Sequence, residues 1–341
     1  LFLHGNSGVN IRQGDAMFSE RQQTIVRAIF GKGAKSKEML GDGVYKQYGR
    51  GRDGFHVSSC QFAIHYFWEN KTVLHNFLRN VSECTKVGGH FIGTSYDGEK
   101  IFRLLQEVPE GDAVTILKEN AGWDDNRAGI GNDPGKKIWQ VQKHYSQEYF
   151  NADESSIGYA INVYQESINK MTREYLVNYT YLTRLLENYG FTVLKQNDLK
   201  RIPMKSSVGT FQELYNTLNK QASKSSDVKK NIGTALNMTD DERRISFLNN
   251  YFIYKKVRDV DAAHVQKLFM RGDGVDTQYE AELEQEPDQV LAQELEHGLD
   301  RSVDIEAEGP STAKPVIRKV DGSIVIRRKR MRKEGSKLTV G

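Results

Sequence analysis

Four short apolar runs, at residues 55–60, 90–94, 191–194 and 251–257, alternate with segments whose apolar side chains recur at helical spacing. This alternation constrains the fold more than any other feature of the chain, because it predicts an α/β sheet rather than a bundle or a sandwich. Residues 71–84 place Val73, Leu74, Phe77, Leu78 and Val81 on one helical stripe, with Gly88-Gly89 as the expected stop before the next strand. Residues 175–189 repeat the arrangement, with Gly190 as the stop. Two helix, glycine, strand units in one chain predict a wound, Rossmann-like sheet. Between them, residues 111–169 are rich in Gly, Asp, Asn and Tyr and read as an insertion over the strand ends, where substrate contacts collect.

The periodic pattern ends near residue 260, so residues 1–260 are expected to fold and 261–341 to form a charged, mostly disordered tail. From Asp273 to Glu308 there are thirteen acidic residues against one Arg, and the sign then reverses in RRKRMRK at 327–333. Blocks of like charge with few apolar residues cannot bury enough surface to offset the entropy of ordering. A net charge of +3 over 341 residues excludes a uniformly basic coat for nucleic acid. No apolar run approaches the length of a membrane span, so no membrane partner is expected. Cys60 and Cys84 are the only cysteines, which argues against a disulfide framework or a four-cysteine zinc site and for a reducing, intracellular setting. No secretory leader pattern precedes the first strand-like residues. The chain opens on Leu1 within what reads as strand interior, and is expected to be cut from something longer.

The most informative stretch is FHVSSCQFAIHY, residues 55–66, followed by GGHFIGTSY, residues 88–96. It closely resembles the mRNA cap guanine-N7 methyltransferases, in which a (C/S)QFxxHY element precedes a GGxFIGT strand. The YDG after FIGTS is similar to the enzymes of large DNA viruses, whereas cellular members place Pro-Asn there. The resemblance covers residues 10–256. It implies a methyltransferase domain that transfers a methyl group from S-adenosyl-L-methionine to N7 of the guanine of a capped mRNA 5′ end, GpppN. N7 is already a lone-pair nucleophile at neutral pH, so no general base is required. Positioning by aromatic and polar groups is the expected device, with no catalytic acid, base or metal. Nothing in the chain pairs a nucleophile with a base, and no Walker-type loop is present.

By this resemblance His65 and Tyr66 contact the cap guanine, the first by a hydrogen bond and the second by its ring. Glu174, in TREYLVNY, would read the guanine N1 and N2 donors and so exclude adenine. Tyr96 is expected beside the base, Tyr251 matches the family's last-strand tyrosine, and Tyr159 or Ile161 falls where the family places an aromatic. On the donor side Gln61 and Phe62 would line the methionine and adenosine, and Asp15, in IRQGDAM, would accept from the adenine amine.

The family's Gly-rich donor turn, of the type DLGCGxGGD, and its acidic ribose ligand are not in the sequence. The chain is therefore expected to be the carboxy-terminal part of a longer capping polypeptide, with triphosphatase and guanylyltransferase modules upstream, and to bind S-adenosylmethionine poorly alone. A stimulatory subunit, in systems that use one, is a further expected partner; host cytoplasm, viral factory or virion is the expected location. The competing expectation is a catalytically inactive, methyltransferase-like stimulatory module, against which QFxxHY with Glu174 argues.

Overall fold

The computed structural model describes residues 2–117, 137–202 and 204–271, and the backbone of 319–320 and 323–324. Two short helices come first: α1 (Glu20–Ile29), capped by the Ser19 side chain accepting from the Gln22 N–H, and α2 (Lys37–Tyr45), capped in the same way by Ser36. Strand β1 (Phe55–Gln61) leads through a 3₁₀ turn (Ile64–Trp68) into α3 (Lys71–Cys84), β2 (Thr85–Tyr96) and α4 (Gly98–Leu104). Then come β3 (Ala113–Leu117), β4 (Lys137–His144), β5 (Ala160–Gln165) and β6 (Lys170–Tyr175). The chain continues through α5 (Tyr179–Asn188), β7 (Phe191–Val193), α6 (Gln196–Leu199), β8 (Val208–Thr210) and α7 (Phe211–Ala222). Finally α8 (Ser226–Ile232) and α9 (Asp240–Ser246) precede β9 (Asn249–Lys256) and α10 (Ala262–Arg271).

All four apolar runs form strands of one sheet, in the order β1-β2-β9-β7, with β8 also paired to β9. Strands β1 and β2 are parallel and joined by α3, while β9 is antiparallel to β2, β7 and β8, so it alone runs against the rest. The sheet is thus mixed α/β. Gly88-Gly89 does not separate α3 from β2 as the sequence suggests. Helix passes into strand at Cys84–Thr85, where the Thr85 hydroxyl donates to the Val81 carbonyl at 2.7 Å. The glycines lie inside β2 instead, at a bulge where the register jumps from Phe55 opposite Thr85 to Val57 opposite His90. Gly88 sits there at φ +81°, which a side chain would strain.

The expected insertion is a second, antiparallel sheet of order β3-β4-β5-β6. Two cores result. One packs α3 and α5 against the first sheet around Trp68, Leu78, Phe91, Leu182 and Phe252; the other joins Tyr96, Ile101, Trp139, Val141, Ile161 and Val163. Each fully buried Leu or Phe contributes roughly 2 kcal/mol. Tyr96, the last residue of β2, belongs to the second core, so the end of the first sheet is packed into the second.

Helix α10 packs on α3, with the Phe269 ring stacked 4.4 Å from that of His75 and the Gln266 side chain bonded to those of Arg79 and Asn76. The folded part therefore runs past the expected boundary at 260: the apolar stripe Val265–Phe269 has a partner surface that the sequence alone did not reveal. The chain divides into units 1–280 and 281–341. In the second, β10 (Lys319–Val320) pairs antiparallel with β11 (Ser323–Ile324); the rest of the expected tail, including 327–333, lies outside the described residues. On its outer side β1 has no partner strand among the described residues, and Val57 there is 50% exposed. Among the described residues no helix is long and apolar enough to cross a membrane.

Candidate functional site

Strand β1 ends at Gln61, and Phe62 turns the chain at φ +49°. A non-glycine residue held there costs about 1 kcal/mol, so neighbouring bonds must fix it. They come from β2: the Phe62 N–H donates to the Thr94 carbonyl at 2.9 Å, and the Thr94 hydroxyl donates to Gln61 Oε1 at 2.9 Å. The Phe62 ring stays 52% exposed, edge-on to Phe211 with centroids 6.0 Å apart. A cleft of about 410 Å³ opens along β1 from Gln61, walled by Ser59, Cys60, Phe67 and Asn80 among others.

The 3₁₀ turn follows at once. Ile64 and Trp68 are fully buried anchors, and between them the turn presents His65, 5% exposed, and Tyr66, 44% exposed. Their rings meet edge-on, with centroids 4.2 Å apart. Glu174 reaches the same hollow from β6 of the second sheet, with Ile161 opposite it in register. Sequence periodicity places Glu174 near a helix start; it is on a strand, with Thr172 and Glu174 on one face and Arg173 and Tyr175 on the other.

Glu174 Oε2 stands 3.6 Å from His65 Nε2, too far for a hydrogen bond. Both His65 ring nitrogens and Glu174 Oε2 are buried without a hydrogen-bond partner. An unsatisfied buried polar group costs about 1–3 kcal/mol, so three of them side by side call for an explanation. Burial lowers the His65 pKa to about 4, so its imidazole is neutral at pH 7. Burial likewise pushes the Glu174 carboxyl up to about 7, against which the Thr172 hydroxyl works by donating to Oε1 at 3.2 Å. Tyr66 is raised by burial and then by the Glu174 charge. Burial also raises Tyr96 to about 12, with the Glu174 charge acting in the same direction. Trp139 Nε1 and Gln165 Nε2 fix the Tyr96 hydroxyl by donating to it at 2.9 and 2.8 Å.

The structure thus brings His65, Tyr66 and Glu174 together where the 3₁₀ turn meets β6, with Tyr96 near enough for the Glu174 charge to act on it. Tyr251 lies two strands from β1, in register with Thr94, its hydroxyl 3.2 Å from Ser206 Oγ. Asp15 sits in the N-terminal turns, its carboxylate 4.0 Å from Arg27 and more than half exposed, and it is not among the walls of the β1 cleft. Tyr159 is buried among Phe102, Tyr145 and Phe150, so Ile161 is the member of that pair beside Glu174. Thr172, Trp139 and Gln165 escaped the sequence reading. A period-two reading of residues 170–175 would have exposed Thr172.

A neutral imidazole just past the end of β1 and an unpartnered carboxylate on β6 therefore face each other across the junction of an α/β sheet with an antiparallel one. The chain belongs to the mRNA (guanine-N(7))-methyltransferase domain family, whose sequence model matches residues 9–257. It is 24% identical over 226 residues to the "Probable mRNA-capping enzyme" of Acanthamoeba polyphaga mimivirus, covering 62% of this chain and 18% of that protein. It is 23% identical over 202 residues to the mRNA cap guanine-N(7) methyltransferase of Saccharomyces cerevisiae, covering 59% and 42% of the two chains. With the Drosophila melanogaster enzyme of the same name, identity is 31% over 141 residues, 41% of this chain and 27% of the relative. The match spans less than half the length of each of these relatives. Among solved structures, the CcbJ methyltransferase from Streptomyces caelestis superimposes with a TM-score of 0.29 at 10% identity, over 61% of this chain and 59% of that one.

Proposed function

We propose that this chain provides the cap-guanine subsite of an mRNA guanine-N7 methyltransferase and takes GpppN-ended RNA as substrate. The observation that carries the reading is the buried Glu174 carboxylate whose Oε2 has no partner, 3.6 Å from a neutral imidazole. Guanine offers two adjacent N–H donors to such a carboxylate and a carbonyl acceptor to an imidazole N–H; adenine offers neither in that order. Tyr66 supplies a ring face, and Ile161 packs without stacking. Tyr96 closes the hollow from β2, and Tyr251 bounds it through the Thr94 row. With the base gripped by its Watson–Crick edge, N7 is left facing away from Glu174. Orientation and exclusion of water are the residues' contribution, worth several kcal/mol without any proton transfer.

On the donor side, Gln61 and the strained, exposed Phe62 at the mouth of the β1 cleft fit one wall of an S-adenosylmethionine site. Bound there, that cofactor would supply an electrophilic methyl group. Asp15 keeps its assignment as acceptor for the adenine amine, since its carboxylate is exposed and only loosely paired with Arg27. The partners consistent with this reading are upstream triphosphatase and guanylyltransferase modules, in a reducing intracellular setting that suits two free cysteines. A non-catalytic stimulatory module is not favoured, because it has no use for an unpartnered buried carboxylate. Calorimetric titration with GpppA and ApppA tests the proposal. GpppA is expected to bind at least tenfold tighter, and Glu174→Gln to abolish the preference, as loss of a charged hydrogen-bonding group implies. Equal affinity of the unaltered chain for the two dinucleotides would overturn it.

A further inference from the structure

The hollow contains a residue that touches no ligand in the reading above and yet sets the state of the group that does. Thr172 and Glu174 are two residues apart on β6 and share the inward face. The Thr172 hydroxyl has two acceptors within reach, Glu174 Oε1 at 3.2 Å and the Val163 carbonyl at 3.4 Å. A charged acceptor outcompetes a neutral one, so the hydroxyl points to the carboxylate when Glu174 is ionised and can turn to Val163 when it is not.

We propose that Thr172 is a positioning residue for Glu174: its hydroxyl ties down Oε1, favours the carboxylate form, and leaves Oε2 unpartnered beside His65. Everything else facing Glu174 works against ionisation or is indifferent to it. His65, from the 3₁₀ turn, is neutral and 3.6 Å away. Tyr66 and Tyr96 present neutral phenols from the 3₁₀ turn and the end of β2. Ile161, across on β5, is apolar and 1% exposed. Among the described residues no Lys or Arg pairs with Glu174, so Thr172 supplies its one stabilising donor. Because the carboxyl titrates near neutrality, one hydrogen bond decides whether it can accept from guanine at pH 7.

This inference deepens the cap-guanine reading and rests on it for its binding arm, but its titration arm stands alone. The full chain, labelled with ¹³C at glutamate carboxyls, is titrated by NMR as the unaltered protein, as Thr172→Val and as Thr172→Ser, with Glu174→Gln assigning the signal. The Glu174 midpoint is expected to move up by about one pH unit in Thr172→Val, the loss of roughly one hydrogen bond to a charged group, and to return in Thr172→Ser. In parallel, GpppA binding by Thr172→Val is expected to weaken about fivefold at pH 7, as the ionised fraction falls from about one-half to about one-tenth, and to recover most of that loss at pH 9. An unmoved midpoint overturns the proposal, as does a binding loss of equal size at every pH, which would mean Thr172 only shapes the strand. A moved midpoint in a chain that binds GpppA no better than ApppA upholds Thr172 and removes the guanine reading instead.

Discussion

Glu174 is 6% exposed and unpaired by any cation among the described residues, which is costly for stability and useful for recognition. Its folded pKa is raised from 4.5 to about 7, so the folded state holds a proton that the unfolded state has released. Stability from this group is therefore lost as pH rises through that window, by on the order of 3 kcal/mol above it. His65 acts in the opposite direction. Its folded pKa is lowered from 6.5 to about 4, and stability is lost as pH falls through that range. Glu174→Gln should therefore stabilise the chain by on the order of 3 kcal/mol at pH 8 and by little at pH 5, read from urea midpoints at the two pH values. A variant no more stable at pH 8 would mean that the carboxylate is better solvated than its burial implies. His65 and Tyr66 were singled out by the QFxxHY element and Glu174 by TREYLVNY, and the fold places His65 and Glu174 3.6 Å apart. Thr172 was not, because its role appears only once residues 170–175 alternate inward and outward on a strand.

Among the elements, β2 shows where sequence reading succeeds and where it stops. The run 90–94 identified the strand, with Phe91 and Gly93 buried and His90, Ile92 and Thr94 half-buried in alternation. Its start at Thr85 was hidden, because a glycine pair inside a bulge looks the same in sequence as a glycine pair after a helix. Gly93 is a different case. A side chain added there would collide with the Cys60 carbonyl and the Phe252 ring of the neighbouring strands. Gly93→Ala is expected to cost about 2–3 kcal/mol, visible as a lower urea midpoint with an unchanged slope. The hairpin β5–β6 was missed for a related reason: the periodic stretch that follows Tyr175 masks where strand ends and helix begins, and only the Asn178 cap separates them.

At the scale of the molecule, the cluster is assembled from two sheets, His65 and Tyr66 from the 3₁₀ turn after β1 and Glu174 from β6. Neither sheet holds the set alone. The α/β class followed from the alternation of runs, but a second sheet made from the Gly- and Asn-rich insertion did not, because β3–β4 and β4–β5 pair across long intervening segments and only β5–β6 is a local hairpin. Helix α10 is the other surprise, and it gives a direct test. A chain ending at residue 260 loses Val265 and Phe269 from the surface of the α3 core. It is expected to lose roughly 3 kcal/mol, about two half-buried apolar side chains with their neighbours, and so to melt several degrees below a chain ending at 271. Equal melting temperatures would return the boundary to 260.

The outer rim of β1 carries its own implication. A row of amide and carbonyl groups with no strand beside them among the described residues, next to a half-exposed Val57, is a template for another backbone. Whatever lies against that rim in the cell, whether a neighbouring segment or a foreign chain, would also press on the strand whose tip turns at Phe62. Docking at the flank would then be felt at the base-gripping tip, through a single seven-residue ribbon.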